Sequence, residues 1–117
     1  MQSLIEKLFA LSDNIRYVAI YSKGQLISTA RPNSENASSS ESDKYEELIV
    51  NPALLLLAKQ RGDIDCGGAE FVLIRYGNFY QLVVPIPSGH ISICIERHAS
   101  PLDLWSSIKS LLNDEFV

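Results

Sequence analysis

The sequence predicts one mixed α/β (α+β) domain, in which helices cover both faces of a five-stranded antiparallel sheet in a three-layer α/β/α arrangement. The 117 residues are 46% hydrophobic and 21% charged, which is typical of a single globular domain. Helical and strand patterns alternate in the order helix, strand, strand, helix, strand, strand, strand, helix. Residues 71–74 and 83–86 are apolar on both strand faces, so both faces of the sheet need cover.

The first three elements are a helix and a β-hairpin. The helix has an apolar stripe that consists of Leu4, Leu8 and Leu11. Ile15–Ser22 is rich in Ile, Tyr and Val, and residues 25–31 form a second, more polar strand. The tight turn Lys23-Gly24 between them predicts a hairpin.

The middle of the chain is a loop followed by a helix. Residues 31–43 include five serines, which predicts a flexible loop. A helix is expected from residue 43 to 61, and Pro52 either kinks it or starts a second helix. The four consecutive leucines at 54–57 cover about 300° of the helix surface. One side can lie on the sheet, and we expect the other side to meet another protein chain.

Three strands and a helix complete the predicted domain. The strands are expected at residues 69–76, 79–86 and 90–97, and the helix opens with Ser100-Pro101. The first of these strands follows the leucine helix and would lie at the edge of the sheet. A long apolar edge strand invites pairing with another chain, so strand and helix both predict a dimer.

The hairpin of residues 67–86, GGAEFVLIRYGNFYQLVVPI, and the final helix beginning Ser100-Pro101-Leu102 resemble the roadblock family. These are dynein light-chain-like modules with a profilin-like core. The resemblance covers residues 4–112 and depends on topology, length and pattern. It implies a homodimer or paired heterodimer, built through the third strand and the middle helix, that acts as a non-catalytic scaffold or as a regulator of small Ras-like GTPases. Similar bacterial proteins are partnered with a GTPase.

Carried onto this chain, the resemblance implies a defined dimer interface. Its predicted residues are Leu48, Leu54, Leu55, Leu57, Ala69, Glu70, Phe71, Val72, Leu73, Ile74 and Arg75. The prediction is therefore a cytoplasmic homodimer that binds a partner protein, with a small GTPase favoured, and that has no catalytic residues, cofactor or metal. The alternative is a small-molecule-sensing, profilin-like domain with a ligand between sheet and helix.

Composition and motifs argue against several other functions. The net charge of −4 without a basic cluster argues against nucleic acid binding. Residues 48–58, the longest apolar stretch, are too short to span a bilayer, so no membrane insertion is expected. Gly62, Gly67 and Gly68 lack the spacing of a phosphate-binding loop, so the chain should not itself bind GTP.

Three residues near the last strand are candidates for metal binding or catalysis. His90 and Cys94 would share a strand face, but His98 falls beyond the end of the strand, which favours structural roles over zinc. Cys94 lies between isoleucines in mid-strand, and a small core residue is the favoured interpretation over a nucleophile. A small hydrolase is therefore the least favoured function.

Overall fold

The computed structural model describes residues 1–32, 34 and 36–116. The helices are α1 (Gln2–Phe9), α2 (Ser40–Tyr45), α3 (Asn51–Asp65) and α4 (Pro101–Phe116), with a π-helical turn (Glu46–Val50) that joins α2 to α3. The strands are β1 (Ile15–Ser22), β2 (Gln25–Ala30), β3 (Val72–Arg75), β4 (Phe79–Ile86) and β5 (Gly89–Glu96). All the paired strands are antiparallel. The predicted mixed α+β domain with a five-stranded antiparallel sheet is confirmed.

The strands lie in the order β2-β1-β5-β4-β3, so β2 and β3 form the two edges of the sheet. Side chains alternate between the two faces along each strand. On β5, the isoleucines at 91, 93 and 95 pack in the core with residues of α1 and α4, whereas His90 contacts the helical segment 40–65 on the other face. The sheet is thus the middle layer of three.

The apolar core lies between the sheet and the two terminal helices. Its most deeply buried large side chains include Leu4, Ile5, Leu8, Ile20, Leu82 and Ile108. The face below the helical segment 40–65 is different, because it buries several polar side chains. They include Arg16, Glu47, Asn51, Gln81, His90 and Ser92.

The side chain of Arg31 connects the end of β2, by hydrogen bonds, to the segment between α1 and β1. Its Nε donates to the Ile15 carbonyl at 2.7 Å. Its Nη2 donates to the carbonyls of Phe9 and Ser12 at 2.8 and 3.0 Å. Three charge-assisted hydrogen bonds therefore fix this corner of the sheet before the chain enters the serine-rich loop.

The edge strand β3 is shorter than the predicted strand at 69–76. Gly67 and Gly68, directly before the predicted start at residue 69, have φ angles of 80° and 89°. This left-handed conformation is not that of an extended strand. If the register of β3 with β4 continued, Glu70 would lie opposite Pro85, which has no N–H to donate. The ladder therefore begins at Val72.

The middle helical segment starts earlier than the predicted residue 43. Ser39 is the N-cap of α2, and its hydroxyl accepts a hydrogen bond from the Ser42 amide at 3.1 Å. Part of the predicted loop at 31–43 is therefore helical. Asn33 and Glu35, which also belong to that predicted loop, lie outside the described residues.

Pro52 lies in the first turn of α3, and the helical backbone is continuous across it. The helical backbone runs from α2 through the π-helical turn into α3, and Pro52 is the second residue of α3. Proline cannot donate the hydrogen bond that a helix interior requires, and a wide turn directly before it accommodates the missing bond. At the other end, the Gly62 carbonyl accepts from the amides of Cys66 and Gly68, both at 3.0 Å, and closes the helix.

Among the described residues, no helix combines the length and apolar character needed to cross a bilayer.

Candidate functional site

One side of α3 exposes large apolar side chains. Leu56, Leu57 and Ile64 are 56%, 64% and 76% exposed, respectively. Together with Ala53 and Gln60, which are also exposed, they repeat at the spacing of a single helix face. We call these five residues the α3 stripe. Leu48 and Ile49, in the π-helical turn, are exposed as well.

The four consecutive leucines are divided between the two sides of α3. Leu54 and Leu55 are half-buried and share their side of the helix with the buried Asn51 and Gly62, which faces the sheet. Of the helical residues in the predicted interface, only Leu48 and Leu57 are therefore exposed, at 44% and 64%. Leu56 and Ile64 are exposed too but are not among the predicted interface residues, although their spacing from Ala53 indicates a common helix face.

The second predicted interface element, β3, has one open edge. It pairs with β4 on one side and lies at the end of the sheet. Phe71 packs on Trp105 of α4, with ring centroids 4.6 Å apart, and Leu73 joins the same core. Val72 and Ile74 alternate with them and lie on the face that α3 covers.

The ends of β3 carry the remaining predicted interface residues. Ala69 is half-buried, and the Glu70 carboxylate accepts a hydrogen bond from Lys109 Nζ at 2.8 Å. Arg75 is exposed and stacks its guanidinium on the Tyr80 ring, 4.9 Å from the centroid. The predicted residues are thus divided. Leu48 and Leu57 lie on the outer side of the helical segment 40–65, Leu54 and Leu55 face the sheet, and residues 69–75 form or flank the edge strand β3.

A cluster of buried polar groups connects this helical segment to the sheet. His90 Nε2 lies 2.8 Å from Glu47 Oε1, and Asn51 Nδ2 donates to the same oxygen at 2.9 Å. Next to them, Gln81 Nε2 donates to Ser92 Oγ at 2.6 Å. Buried polar groups are tolerated when they are paired in this way.

The three residues considered for metal binding or catalysis, His90, Cys94 and His98, make hydrogen bonds to three different partners. Cys94 Sγ donates to Gln81 Oε1 at 3.3 Å, while His98 is exposed and bonds Asn14 Oδ1 at 3.1 Å. Burial raises the pKa of Cys94 well above its ordinary value, and the carboxylate of Glu47 raises it further, so the protonated thiol is favoured. Within residues 1–32, 34 and 36–116, no three His, Cys, Asp or Glu side chains are grouped so that they could hold a metal ion.

A cavity of about 730 Å³ lies between the sheet and the start of the helical segment. Its floor is formed by Tyr17, Gln81 and Cys94, and its helical wall includes Asp43 and Glu46. The turn between β3 and β4 forms another side, and the loop that follows β2 forms the rim. The sequence-based alternative of a ligand between sheet and helix named no lining residues, because side chains from five separate segments of the chain line this cavity.

The carboxyl groups of the cavity wall have perturbed acidities. Burial raises the pKa of Glu46, and the neighbouring carboxylates Glu47 and Asp43 raise it further. Burial is also the main reason that the pKa of Asp43 is raised. The Tyr76 hydroxyl donates to the two Glu46 carboxyl oxygens at 3.0 and 3.2 Å, and its own pKa is raised to about 12 by burial and by that carboxylate.

The floor of the cavity contains a buried hydroxyl group that lacks an ordinary hydrogen bond to any described residue, that of Tyr17. Tyr17 Oη is buried and makes no hydrogen bond of ordinary geometry with a described residue. Burial raises the pKa of Tyr17, with a further contribution from Glu47 and Asp43.

Comparison with family models gave no match, and comparison with curated proteins gave no significantly similar sequence.

Proposed function

We propose that this chain is a non-catalytic, cytoplasmic scaffold of the roadblock type, with a profilin-like core, that forms a homodimer and binds a partner protein. The observation that carries the proposal is the α3 stripe. Three large apolar side chains, Leu56, Leu57 and Ile64, lie more than half exposed on one helix face. Large apolar side chains grouped on one exposed face are typical of interaction sites.

A second copy of the chain is the occupant that best fits this surface. The stripe lies on the helix that contacts β3, β4 and β5, which places it over the half of the sheet that ends in the open edge of β3. Two β3 strands related by a two-fold axis can pair along their open edges and satisfy each other's backbone groups. The same axis would place the two α3 helices side by side on one face of the joined sheet, with Leu57 on the flank of the stripe.

The charges beside the stripe are compatible with self-association. Lys59 pairs with Asp63, and Arg61 Nη1 lies 2.6 Å from Asp65 Oδ1. In each pair the carboxylate lies one helical turn after the cationic side chain. These four side chains sum to zero net charge. Two copies can therefore approach without a large electrostatic penalty, whereas the apolar side chains gain from leaving water.

Size-exclusion chromatography with light scattering tests the dimer. Leu57→Glu should give a soluble monomer, because it inserts a charge into the apolar contact. Leu102→Glu is the matched control, since Leu102 is 63% exposed against 64% for Leu57 but lies on α4, in the opposite layer. A monomeric wild-type protein at micromolar concentration, or a Leu57→Glu variant that dimerises with unchanged affinity, would contradict the proposal.

The partner class that the resemblance favours is a small Ras-like GTPase. The dimer would act by binding and not by catalysis. Its continuous sheet and two helices would form the surface that contacts the GTPase. Capture from native lysate followed by mass spectrometry can identify a GTPase partner. The purified GTPase should then bind the dimer with an affinity that differs between its GDP-bound and GTP-bound states, and should bind the Leu57→Glu monomer less tightly. Equal binding to dimer and monomer would count against this role.

A further inference from the structure

The cavity under the start of the middle helical segment has the dimensions of a ligand site. Its volume of about 730 Å³ lies within the range of small-molecule pockets, roughly 300–1,000 Å³. It also lies within one protomer, between the sheet and residues 42–50, on surfaces that the proposed dimer contact does not need. A ligand here would therefore add a property beyond the scaffold function.

The charges of the lining favour a cation. Among the described residues of the lining, Asp43, Glu46 and Glu47 contribute three carboxyl groups, and Arg16 is the one cationic side chain. Arg16 Nη1 lies 3.4 Å from Glu96 Oε1, and its guanidinium stacks on the Phe79 ring at 5.1 Å, so its charge is already engaged. An anionic ligand such as a nucleotide would meet repulsion from the helical wall.

Two of these carboxyl groups lack a cationic partner. Glu47 is paired with His90, but no described lysine or arginine lies within 4.0 Å of Asp43 or Glu46. Both are partly buried, and desolvation raises the pKa of each. A bound cation would replace the lost hydration of the carboxylates, whereas a neutral apolar ligand would remove still more water from them.

The aromatic side chains of the lining suit the remainder of such a ligand. Tyr76 and Phe79 lie with their ring centroids 5.6 Å apart at the turn between β3 and β4, and Tyr17 and Tyr45 contribute two further rings. Aromatic faces attract organic cations and also cover apolar carbon. Tyr76 is held in place by its hydrogen bond to Glu46, so a ring and a carboxylate stand side by side.

We infer that this cavity binds a small organic cation, an amine or ammonium compound with an apolar or aromatic body. The charged nitrogen lies between Asp43 and Glu46, and the body of the ligand lies against Tyr76 and Phe79. The site belongs to each protomer, so it does not depend on the proposed dimer, and the two proposals fail independently.

The test is a calorimetric titration of the wild-type protein with three compounds of similar shape and different charge. Tyramine carries an ammonium group, para-ethylphenol is neutral, and para-hydroxyphenylacetate is an anion. Tyramine should bind with a dissociation constant of about 1 mM or lower, at least about tenfold more tightly than either of the others. Its affinity should fall when the pH is lowered far enough to protonate the carboxyl groups. The absence of saturable tyramine binding, or equal binding of the anion, would overturn the inference.

Variants then locate the site. The double variant Asp43→Asn, Glu46→Gln should weaken tyramine binding by about tenfold or more. The amide side chains keep the shape of the cavity wall and remove its negative charge. Glu41→Gln, an exposed position on α2 that does not line the cavity, is the matched control and should bind as wild type. If the double variant does not fold, the single Glu46→Gln variant is used, with chemical-shift changes around Tyr76 as a second measurement. Unchanged affinity in a folded variant would overturn the assignment of these carboxylates.

Discussion

Glu47 and His90 join the middle helical segment to the centre of the sheet by a contact between side chains that are 1% and 2% exposed. The distance from His90 Nε2 to Glu47 Oε1 is 2.8 Å, and Asn51 donates to the same oxygen. The Tyr21 ring lies against the imidazole, with centroids 5.7 Å apart. This cluster fixes the rotation of the helical segment about its axis, and thereby which leucines face solvent.

Removing the carboxylate should strongly destabilise the fold. Glu47→Ala leaves the imidazole and the Asn51 amide buried without their hydrogen-bond partner, and a loss of about 3–5 kcal/mol in the free energy of unfolding is expected. Urea denaturation at a fixed protein concentration measures it. Glu41→Ala, at an exposed position of α2, is the control and should change stability by less than about 0.5 kcal/mol.

A double-mutant cycle separates this contact from general loss of packing. Once Glu47 is gone, His90→Ala removes a group that has already lost its partner. The double variant should therefore be more stable than the sum of the single losses implies, by about 1 kcal/mol or more. Strictly additive losses would show that the two side chains do not act as a pair.

The outline of the sheet could be predicted from the sequence because its signals are local. Ile15–Ser22 and Phe79–Ile86 have the bounds that their apolar runs and flanking turns predict. The shorter β3 could not be predicted so well. Its start depends on the backbone conformation at Gly67 and Gly68 and on Pro85, which is distant in sequence.

The candidate site was harder to predict for two physical reasons. The π-helical turn adds residues to one helical turn, so a regular period of 3.6 residues gives the wrong rotation on one side of it. Periodicity therefore could not tell which of Glu46 and Glu47 faces the sheet. In addition, Glu47 and His90 are 43 residues apart, and neither carries a local signal that it has a buried partner.

The end of α3 depends on Gly62 having no side chain. A Cβ atom at this position would lie 2.7 Å from the carbonyl carbon of Gly68 and 2.8 Å from its oxygen, far inside van der Waals contact. Gly62→Ala should therefore lower the free energy of unfolding by about 1–3 kcal/mol, even though alanine favours helices over glycine by about 1 kcal/mol. Thermal denaturation followed by circular dichroism measures the change.

Gly77→Ala is the matched control, because a Cβ atom there would meet no atom within 4 Å. Gly77 also lies outside the helices and is not among the residues with positive φ. Its substitution should change stability by less than about 0.5 kcal/mol. A Gly62→Ala variant more stable than wild type would mean that the backbone turn at Gly68 moves away at little cost.

The carboxyl group of Glu46 should make stability depend on pH in a specific direction. Burial raises the pKa of Glu46 in the folded protein, so the folded state holds this proton more tightly than the unfolded chain does. Stability therefore falls as the pH rises from the ordinary pKa of a glutamate, about 4.3, through the raised value. Above that range the full penalty remains, and below about pH 4 it disappears.

Glu46→Gln removes this titration and keeps an oxygen that can accept the hydrogen bond of Tyr76. The variant should be more stable than wild type at pH 7 by about 0.5 kcal/mol and equal to it near pH 4. Urea midpoints at the two pH values, with Glu41→Gln as an exposed control, measure the difference. A Glu46→Gln variant that is less stable by the same amount at both pH values would show that the charged form of Glu46 is not penalised, and that the cavity wall is better solvated than its burial indicates.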